Sequence, residues 1–202
     1  MPRPRSLTPT QIATAALAVA DRDGLDGLSM RAVAQQLGMG TMSLYRYVTD
    51  RSQVEEVMVD LVLQGVDLSP PPGSPSARLG VLAERVRGAV LEHPAVVPLL
   101  ITHRHRSPSS RRWGETMLGL LTEAGLTGER RVVAFRVILG YVLGAVQVEQ
   151  FGPLDGTGTA ALAGLPVEEF PLLAETAADA RAIPSEAEFR RGFDIVLRGL
   201  GL

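Results

Sequence analysis

The chain has 202 residues, 46% of them hydrophobic, with 20 basic and 22 acidic side chains and no cysteine. That is enough apolar material for one or two compact domains, and the lack of cysteine excludes a disulfide-stapled scaffold, a thiol nucleophile and a thiolate metal site. Charge is unevenly spread: residues 1–51 carry six Arg against four Asp, whereas 52–202 carry 14 Arg against 18 acids, so the first quarter has the sign that suits a polyanion partner.

From Pro9 to Asp21 the residues Ile12, Ala13, Ala16, Leu17, Val19 and Ala20 recur at helical spacing, with Thr8 as N-cap and Pro9 in the first position. Asp23-Gly24-Leu25-Asp26-Gly27 breaks this pattern. Ser29 then caps a short second helix with Met30, Val33, Ala34 and Leu37 on one face, and Gly38 ends it. After Gly38 to Gly40 a third pattern, Thr41 to Tyr47, points Leu44 and Val48 inward, which makes residues 29–47 a helix-turn-helix candidate. Asp50, with Gln53 three residues on, opens a fourth helix that places Val54, Val57, Met58, Leu61 and Val62 inside and runs to about Asp67.

Ser69-Pro70-Pro71-Pro72-Gly73-Ser74-Pro75 cannot be helical, because proline fixes φ and removes a donor. It sets the expected division: residues 1–50 a helix-turn-helix domain, 51–69 a connecting helix, and 70–202 a second domain. In that second domain helices are expected at about 76–92, 95–103, 108–124, 128–151, 167–180 and 185–199, with 152–164 a loop. No stretch alternates as a strand, so the fold class is all-α: a three-helix N-terminal domain and a C-terminal helical bundle. The most apolar stretch, Val132 to Val148, is interrupted by Arg136 and Gln147, and the segment after the basic Met1 to Arg5 is amphipathic. Neither a membrane span nor a secretory signal is therefore expected, and the expected location is the cytoplasm.

The second helix of a helix-turn-helix enters the major groove, so its outward residues read bases or hold phosphates. Here they are Thr41, Met42, Ser43, Tyr45, Arg46 and Tyr47. Thr, Ser and Met suit thymine methyls and base edges, Arg46 suits guanine O6 and N7, and the tyrosine hydroxyls suit phosphate. Arg31 and Arg51 add cations on the flanking helices. The competing reading buries one of the tyrosines, since aromatics at i and i+2 cannot both face one core.

The segment Leu28-Ser29-Met30-Arg31-Ala32-Val33-Ala34-Gln35-Gln36-Leu37-Gly38-Met39, with Ser43-Leu44-Tyr45-Arg46-Tyr47-Val48-Thr49-Asp50-Arg51, resembles the DNA-binding domain of the tetracycline-repressor (TetR) family over about residues 8–65. Glu188 to Leu200 is similar to the last helix of the family's C-terminal domain. Tyr47 stands where relatives often carry His, and Arg46 where the closest pattern has Trp. The resemblance implies a homodimeric repressor that binds a palindromic operator and releases it when a small molecule enters the C-terminal domain. It places Arg31, Thr41, Met42 and Ser43 at bases and Tyr45, Tyr47 and Arg51 at phosphates.

Dimerisation is also expected from the residues themselves. Val132, Phe135, Leu139, Val142, Leu143 and Val146, with Phe189, Phe193, Ile195, Val196 and Leu200, are more apolar surface than one small domain covers, and Gly140-x-x-x-Gly144 permits close helix approach. The helices near 128–151 and 185–199 are the expected interface. Val86, Val90, Ile101, Met117, Leu121, Phe135 and Leu139 are candidates to line a pocket for a mostly apolar effector, with core packing as the competing reading. His93, His103 and His105 lack a third ligand at matching spacing and read as surface or loop histidines; no metal, cofactor or catalytic residue is assigned, and the chain is not expected to be an enzyme. The four arginines between Arg104 and Arg112 read as a solvated inter-helix loop. Arg3 and Arg5 are given no contact.

Overall fold

The computed structural model describes residues 7–202, so Arg3 and Arg5 lie outside the described residues. Its elements are α1 (Pro9–Gly27), α2 (Met30–Gln36), α3 (Thr41–Leu44), α4 (Arg51–Gln64), α5 (Pro75–Leu91), a 3₁₀ turn (Pro94–Val96), α6 (Val97–His103), α7 (Pro108–Glu123), α8 (Gly128–Phe151), α9 (Thr157–Ala163), α10 (Pro171–Ala180) and α11 (Ser185–Gly199). No strand occurs among the described residues, as the all-α expectation requires.

The chain forms two compact units: residues 7–68 with 88–116, and residues 69–87 with 117–202. These units follow compactness, and they cut α5 and α7, whereas the division expected at the proline run keeps both helices whole.

In the first unit, α1 packs on α4 and α2, α2 on α3, and α4 on α6. Ile12, Ala16 and Val19 from α1, Val33 and Ala34 from α2, Leu44 and Val48 around α3, and Val54, Met58 and Val59 from α4 are all buried. Side-chain caps start α1, α2 and α4 where the sequence predicts. Thr8 and Gln11 form a reciprocal capping box, with Thr8 N donating to Gln11 Oε1 at 2.9 Å and Gln11 N to Thr8 Oγ1 at 3.2 Å. Ser29 Oγ accepts from Ala32 N at 3.1 Å, and Asp50 Oδ1 accepts from Gln53 N at 2.9 Å. The Gln53 side chain reaches one residue further than a capping box, taking Thr49 N at 2.7 Å. The predicted break after α1 sits at Gly24, whose φ of 72° is non-helical, although helical hydrogen bonding continues to Gly27.

In the second unit, α8 packs on α11 and α9 on α10. Ala134, Ile138, Val142 and Val146 make a buried stripe at four-residue spacing on α8, and Phe189, Phe193 and Leu197 make the matching stripe on α11. Acids Glu186 and Glu188 in the first turn of α11 and Arg198 in its last turn suit the helix dipole. The Arg87 guanidinium pairs with both carboxylate oxygens of Glu149, Nε at 2.7 Å, and lies 5.5 Å from the centroid of the Phe189 ring. Burial and the neighbouring Glu149 charge raise the Glu188 carboxyl above its ordinary range, against the pull of Arg87.

Two expected element bounds in the second unit need correction. Residues 152–164 are not all loop: Thr157–Ala163 is helical, a short alanine-rich turn that the glycines on either side conceal. Conversely α10 begins at Pro171 instead of 167, because proline pre-sets the first helical position and Phe170 is held outside the helix at φ −130°. The apolar surface expected at an interface is also redistributed. Val142, Val146, Phe189 and Phe193 are buried within the chain, whereas Val132, Val133, Val137, Val148 and Ile195 are exposed. By length and composition α8 is apolar enough to cross a membrane, with mean hydropathy 1.7 over 18 residues despite Arg136 and Gln147, and 22% of that window is buried.

Packing of α11 on α8 depends on one missing side chain. Tyr141 sits between Phe189 and Phe193, with centroids at 5.5 and 5.8 Å, and its hydroxyl donates to Phe189 O at 2.8 Å. A Cβ on Gly192 would lie 2.2 Å from that hydroxyl oxygen and 2.9 Å from Cζ. Gly192→Ala is therefore expected to destabilise the protein by about 1–3 kcal/mol through overpacking. Thermal unfolding checks this: the expected drop in Tm is about 2–4 °C per kcal/mol for a chain of this size.

A candidate nucleic-acid interface on the helix-turn-helix

The turn between α2 and α3 is built by Gly38. Its φ of 67° is open to glycine and strained for other residues. With it in place, Gly38 N donates to Gln35 O at 3.0 Å and Met39 N to Ala34 O at 2.9 Å, the paired bonds of a Schellman motif. The chain then restarts at Gly40, whose carbonyl accepts from Ser43 N at 2.9 Å and Leu44 N at 3.3 Å.

The third helix is shorter than Thr41 to Tyr47. After Leu44 the backbone tightens, with Arg46 N donating to Ser43 O and Tyr47 N to Leu44 O, so residues 45–47 form a turn. Leu44 is fully buried and Val48 is nearly so, as predicted. These two anchors turn the remaining residues of the segment outward.

Met42 is 79% exposed, Tyr45 45% and Tyr47 39%. Neither tyrosine is buried, so the reading that makes one of them a core residue fails. A methionine so exposed forgoes about 1.5–3 kcal/mol of burial, which a partner surface can recover. Arg31 and Arg46 are exposed, and their side chains make no hydrogen bond or ion pair among the described residues. Thr41 and Ser43 are half-buried beside them. Together these side chains offer methyl, sulfur, hydroxyl, phenol and guanidinium groups from one short segment, the mixture that reads base edges and grips phosphates.

Arg51, in the first turn of α4, is held differently. Its Nε donates to Glu55 Oε1 at 2.7 Å and its Nη2 to Leu25 O at 3.0 Å, while 47% of the side chain stays exposed. The other oxygen of Glu55 lies 3.0 Å from Nε2 of His103, a buried residue closing α6. Arg106 pairs with Glu56, and Asp60 accepts from Ser107 Oγ at 2.7 Å and Ser109 N at 2.8 Å. Thus α4 carries three carboxylates, each with a partner between 103 and 109.

Sequence reasoning missed this seam. His103 reads as a surface or loop histidine beside arginines, yet it is buried, and the arginine run around it is largely engaged within the chain: Arg104 on Ile101 O, Arg111 on Arg106 O, Arg112 on Ser109 Oγ. The available signal is a trio of acids on a helix that also carries buried valines, although nothing local joins it to residues about 50 positions away. His93 likewise meets Asp21, its Nδ1 lying 2.9 Å from the carboxylate.

The candidate effector residues do not gather in one unit. Val90 and Ile101 belong to the first, and Val86, Met117, Leu121, Phe135 and Leu139 to the second. Val86, Val90, Met117 and Leu121 are buried, Phe135 and Leu139 are intermediate, and Ile101 is 49% exposed.

Residues 69–201 match the family model described as the tetracyclin repressor-like C-terminal domain. The chain belongs to the TetR family. Among its relatives, the HTH-type transcriptional repressor DrrR1 of Streptomyces coeruleorubidus is 36% identical over 154 residues, which cover 74% of this chain and 56% of that protein. An HTH-type transcriptional regulator of Saccharopolyspora erythraea is 32% identical over 145 residues, 71% of this chain and 61% of that one. The chain thus spans somewhat over half the length of these two relatives. The crystal structure of the TetR family protein ActR of Streptomyces coelicolor in complex with actinorhodin superposes with a TM-score of 0.82 at 27% identity, covering 98% of this chain and 96% of ActR.

Asp60 gives the seam a pH signature. Burial acts to raise its carboxyl, but the Ser109 N–H, the Ser107 and Ser109 hydroxyls and the Arg112 charge outweigh it and hold the group below its ordinary value of 3.8. The stabilisation is complete above 3.8 and is lost as pH falls through the lower folded value. Asp60→Asn is expected to lower stability at neutral pH and to flatten the acid limb of a plot of stability against pH, measured by urea unfolding between pH 2 and 7. An acid limb parallel to that of the wild type would place the linkage elsewhere.

Proposed function

We propose that this chain is a transcriptional repressor of the TetR type, which binds a palindromic operator through its helix-turn-helix and is released by a small, mostly apolar effector. The observation that carries this reading is the exposed edge Met42, Tyr45, Arg46 and Tyr47, displayed by the buried anchors Leu44 and Val48. In this reading Arg31, Thr41, Met42, Ser43 and Arg46 face bases, and Tyr45, Tyr47 and Arg51 face phosphates. The names of DrrR1 and of the tetracycline repressor of class D from Escherichia coli, 28% identical over 192 residues, support repression. The complex of ActR with actinorhodin supports control by a small molecule. The candidate lining in this reading is the set that lies in the second unit: Val86, Met117, Leu121, Phe135 and Leu139. Such a protein works at the chromosome, in the cytoplasm, and needs no catalytic group.

The working unit in this reading is a homodimer formed by α8 and α11. Val133, Val137, Gly140, Gly144 and Val148 share one exposed or half-exposed stripe on α8, and a Cβ at either glycine would meet nothing of its own chain within 4 Å. A second copy laid on this stripe buries the valines and uses the bare glycines for close approach. Sedimentation of purified protein is expected to give a dimer for the wild type and a monomer for Val137→Glu, with the helix content of each unchanged. A monomeric wild type at tens of micromolar would remove the interface.

Two arginines separate the roles on DNA. Arg51→Ala is expected to weaken binding to every duplex alike and to lower the salt slope by about one per protomer, since one phosphate contact accounts for about 0.9. Arg46→Ala is expected to relax preference at one base pair of each half-site, a loss of about 1–3 kcal/mol of discrimination. Titrations of a selected site and of its single-base variants, at two salt concentrations, check both. Uniform loss in both variants would remove Arg46 as a base reader.

A further inference from the structure

We propose that Glu55 and His103 are positioning residues for DNA binding, a two-step relay that holds the Arg51 guanidinium ready for a phosphate. The inference rests on the reading of Arg51 as a phosphate contact and extends it to two residues that touch no DNA.

The geometry assigns each group a job. Arg51 has five N–H donors in a rigid fork. Its inner edge is committed, Nε to Glu55 Oε1 at 2.7 Å and Nη2 to Leu25 O at 3.0 Å. Nη1 and the second hydrogen of Nη2 remain for an outside acceptor, on a side chain that is 47% exposed. A free arginine loses rotamer freedom when it grips a phosphate, and one held in place beforehand loses less, so the inner bonds raise affinity without contacting the ligand.

Glu55 in turn is not free to drift. Its side chain is 14% exposed, and its second oxygen lies 3.0 Å from His103 Nε2, itself 10% exposed at the side chain. A carboxylate only accepts, so Nε2 carries the hydrogen. His103 Nδ1 is buried and has no hydrogen-bond partner, so the whole polar capacity that the imidazole uses within the chain is directed at Glu55. Placing a ring nitrogen out of water without a partner costs free energy, and a residue serving only to fill space has no need of it. His103 closes α6 and Glu55 lies in the second turn of α4, so the relay joins these two helices to the DNA-facing arginine.

The test is fluorescence anisotropy of a labelled 30-base-pair duplex of mixed sequence, at 50 and 150 mM salt, with the full chain. The variants are Arg51→Ala, His103→Ala, His103→Gln and the double variant Arg51→Ala/His103→Ala. His103→Ala is expected to weaken binding about 3–10-fold, in the range of one charge-assisted hydrogen bond's orientation. His103→Gln, whose amide can also donate to Glu55, is expected to restore affinity to within about twofold. In the Arg51→Ala background His103→Ala is expected to change little, because the residue that it positions is gone. Equal weakening with and without Arg51, or no weakening by His103→Ala, would overturn the relay. Arg51→Ala without effect on affinity or salt slope would instead remove the phosphate reading beneath it.

Glu55→Gln keeps the proposal testable if His103→Ala does not fold. It is expected to weaken binding when Arg51 is present, yet to leave it unchanged or tighter when Arg51 is absent, where its only effect is to remove a negative charge near a polyanion. Tighter binding by Glu55→Gln with Arg51 in place would mean that the carboxylate competes with phosphate, and would overturn the proposal.

Discussion

The candidate nucleic-acid interface of this protein depends on the burial of Leu44 and Val48. Those two side chains, four residues apart, decide which way a segment of seven residues faces. With them inside, Met42, Tyr45, Arg46 and Tyr47 have no place in the core and stand in solvent. The anchors can reach the core because Gly38 takes a positive φ and closes α2 with paired backbone bonds, which sets α3 against α2. Exposure of large apolar and aromatic groups is thus a consequence of packing, and it leaves a surface whose chemistry suits a base edge better than water.

The fourth helix serves two masters. Val54, Met58, Val59 and Val62 bury its apolar side, while Glu55, Glu56 and Asp60 bond to the segment from His103 to Ser109. Exposed ion pairs contribute little, about 0–1 kcal/mol each. Glu55 with His103 and Asp60 with its serines are half-buried or better, so their geometry is more firmly held. The same helix begins with Arg51. Whatever fixes α4 therefore also fixes Arg51, the cation that the proposed function sets against a phosphate.

Much of this was legible in the residues. Helix starts at Thr8, Ser29 and Asp50 follow from side-chain oxygens that cap backbone N–H groups, a strictly local interaction. The inward position of Leu44 and Val48 follows from helical spacing. What was not legible depends on distant partners. His103 lies 48 residues from Glu55, and no pattern around either announces the other. The helix Thr157–Ala163 hides between glycines because seven residues are too few to show a period. On α8 and α11, apolar residues surround the helix, so periodicity alone does not separate Val142, which is buried, from Val137, which is not. The TetR resemblance in residues 28–51 carried the function further than composition or spacing did.

The measurement that tests the account most directly is selection of bound fragments of the source genome by the purified protein, with Tyr45→Ala/Arg51→Ala as the control. The account predicts that the wild type recovers one or a few palindromic sites, that the control recovers none, and that the half-sites repeat at a spacing of about one helical turn or a multiple of it. Equal recovery by both proteins, or no enrichment by the wild type at low salt, would contradict it.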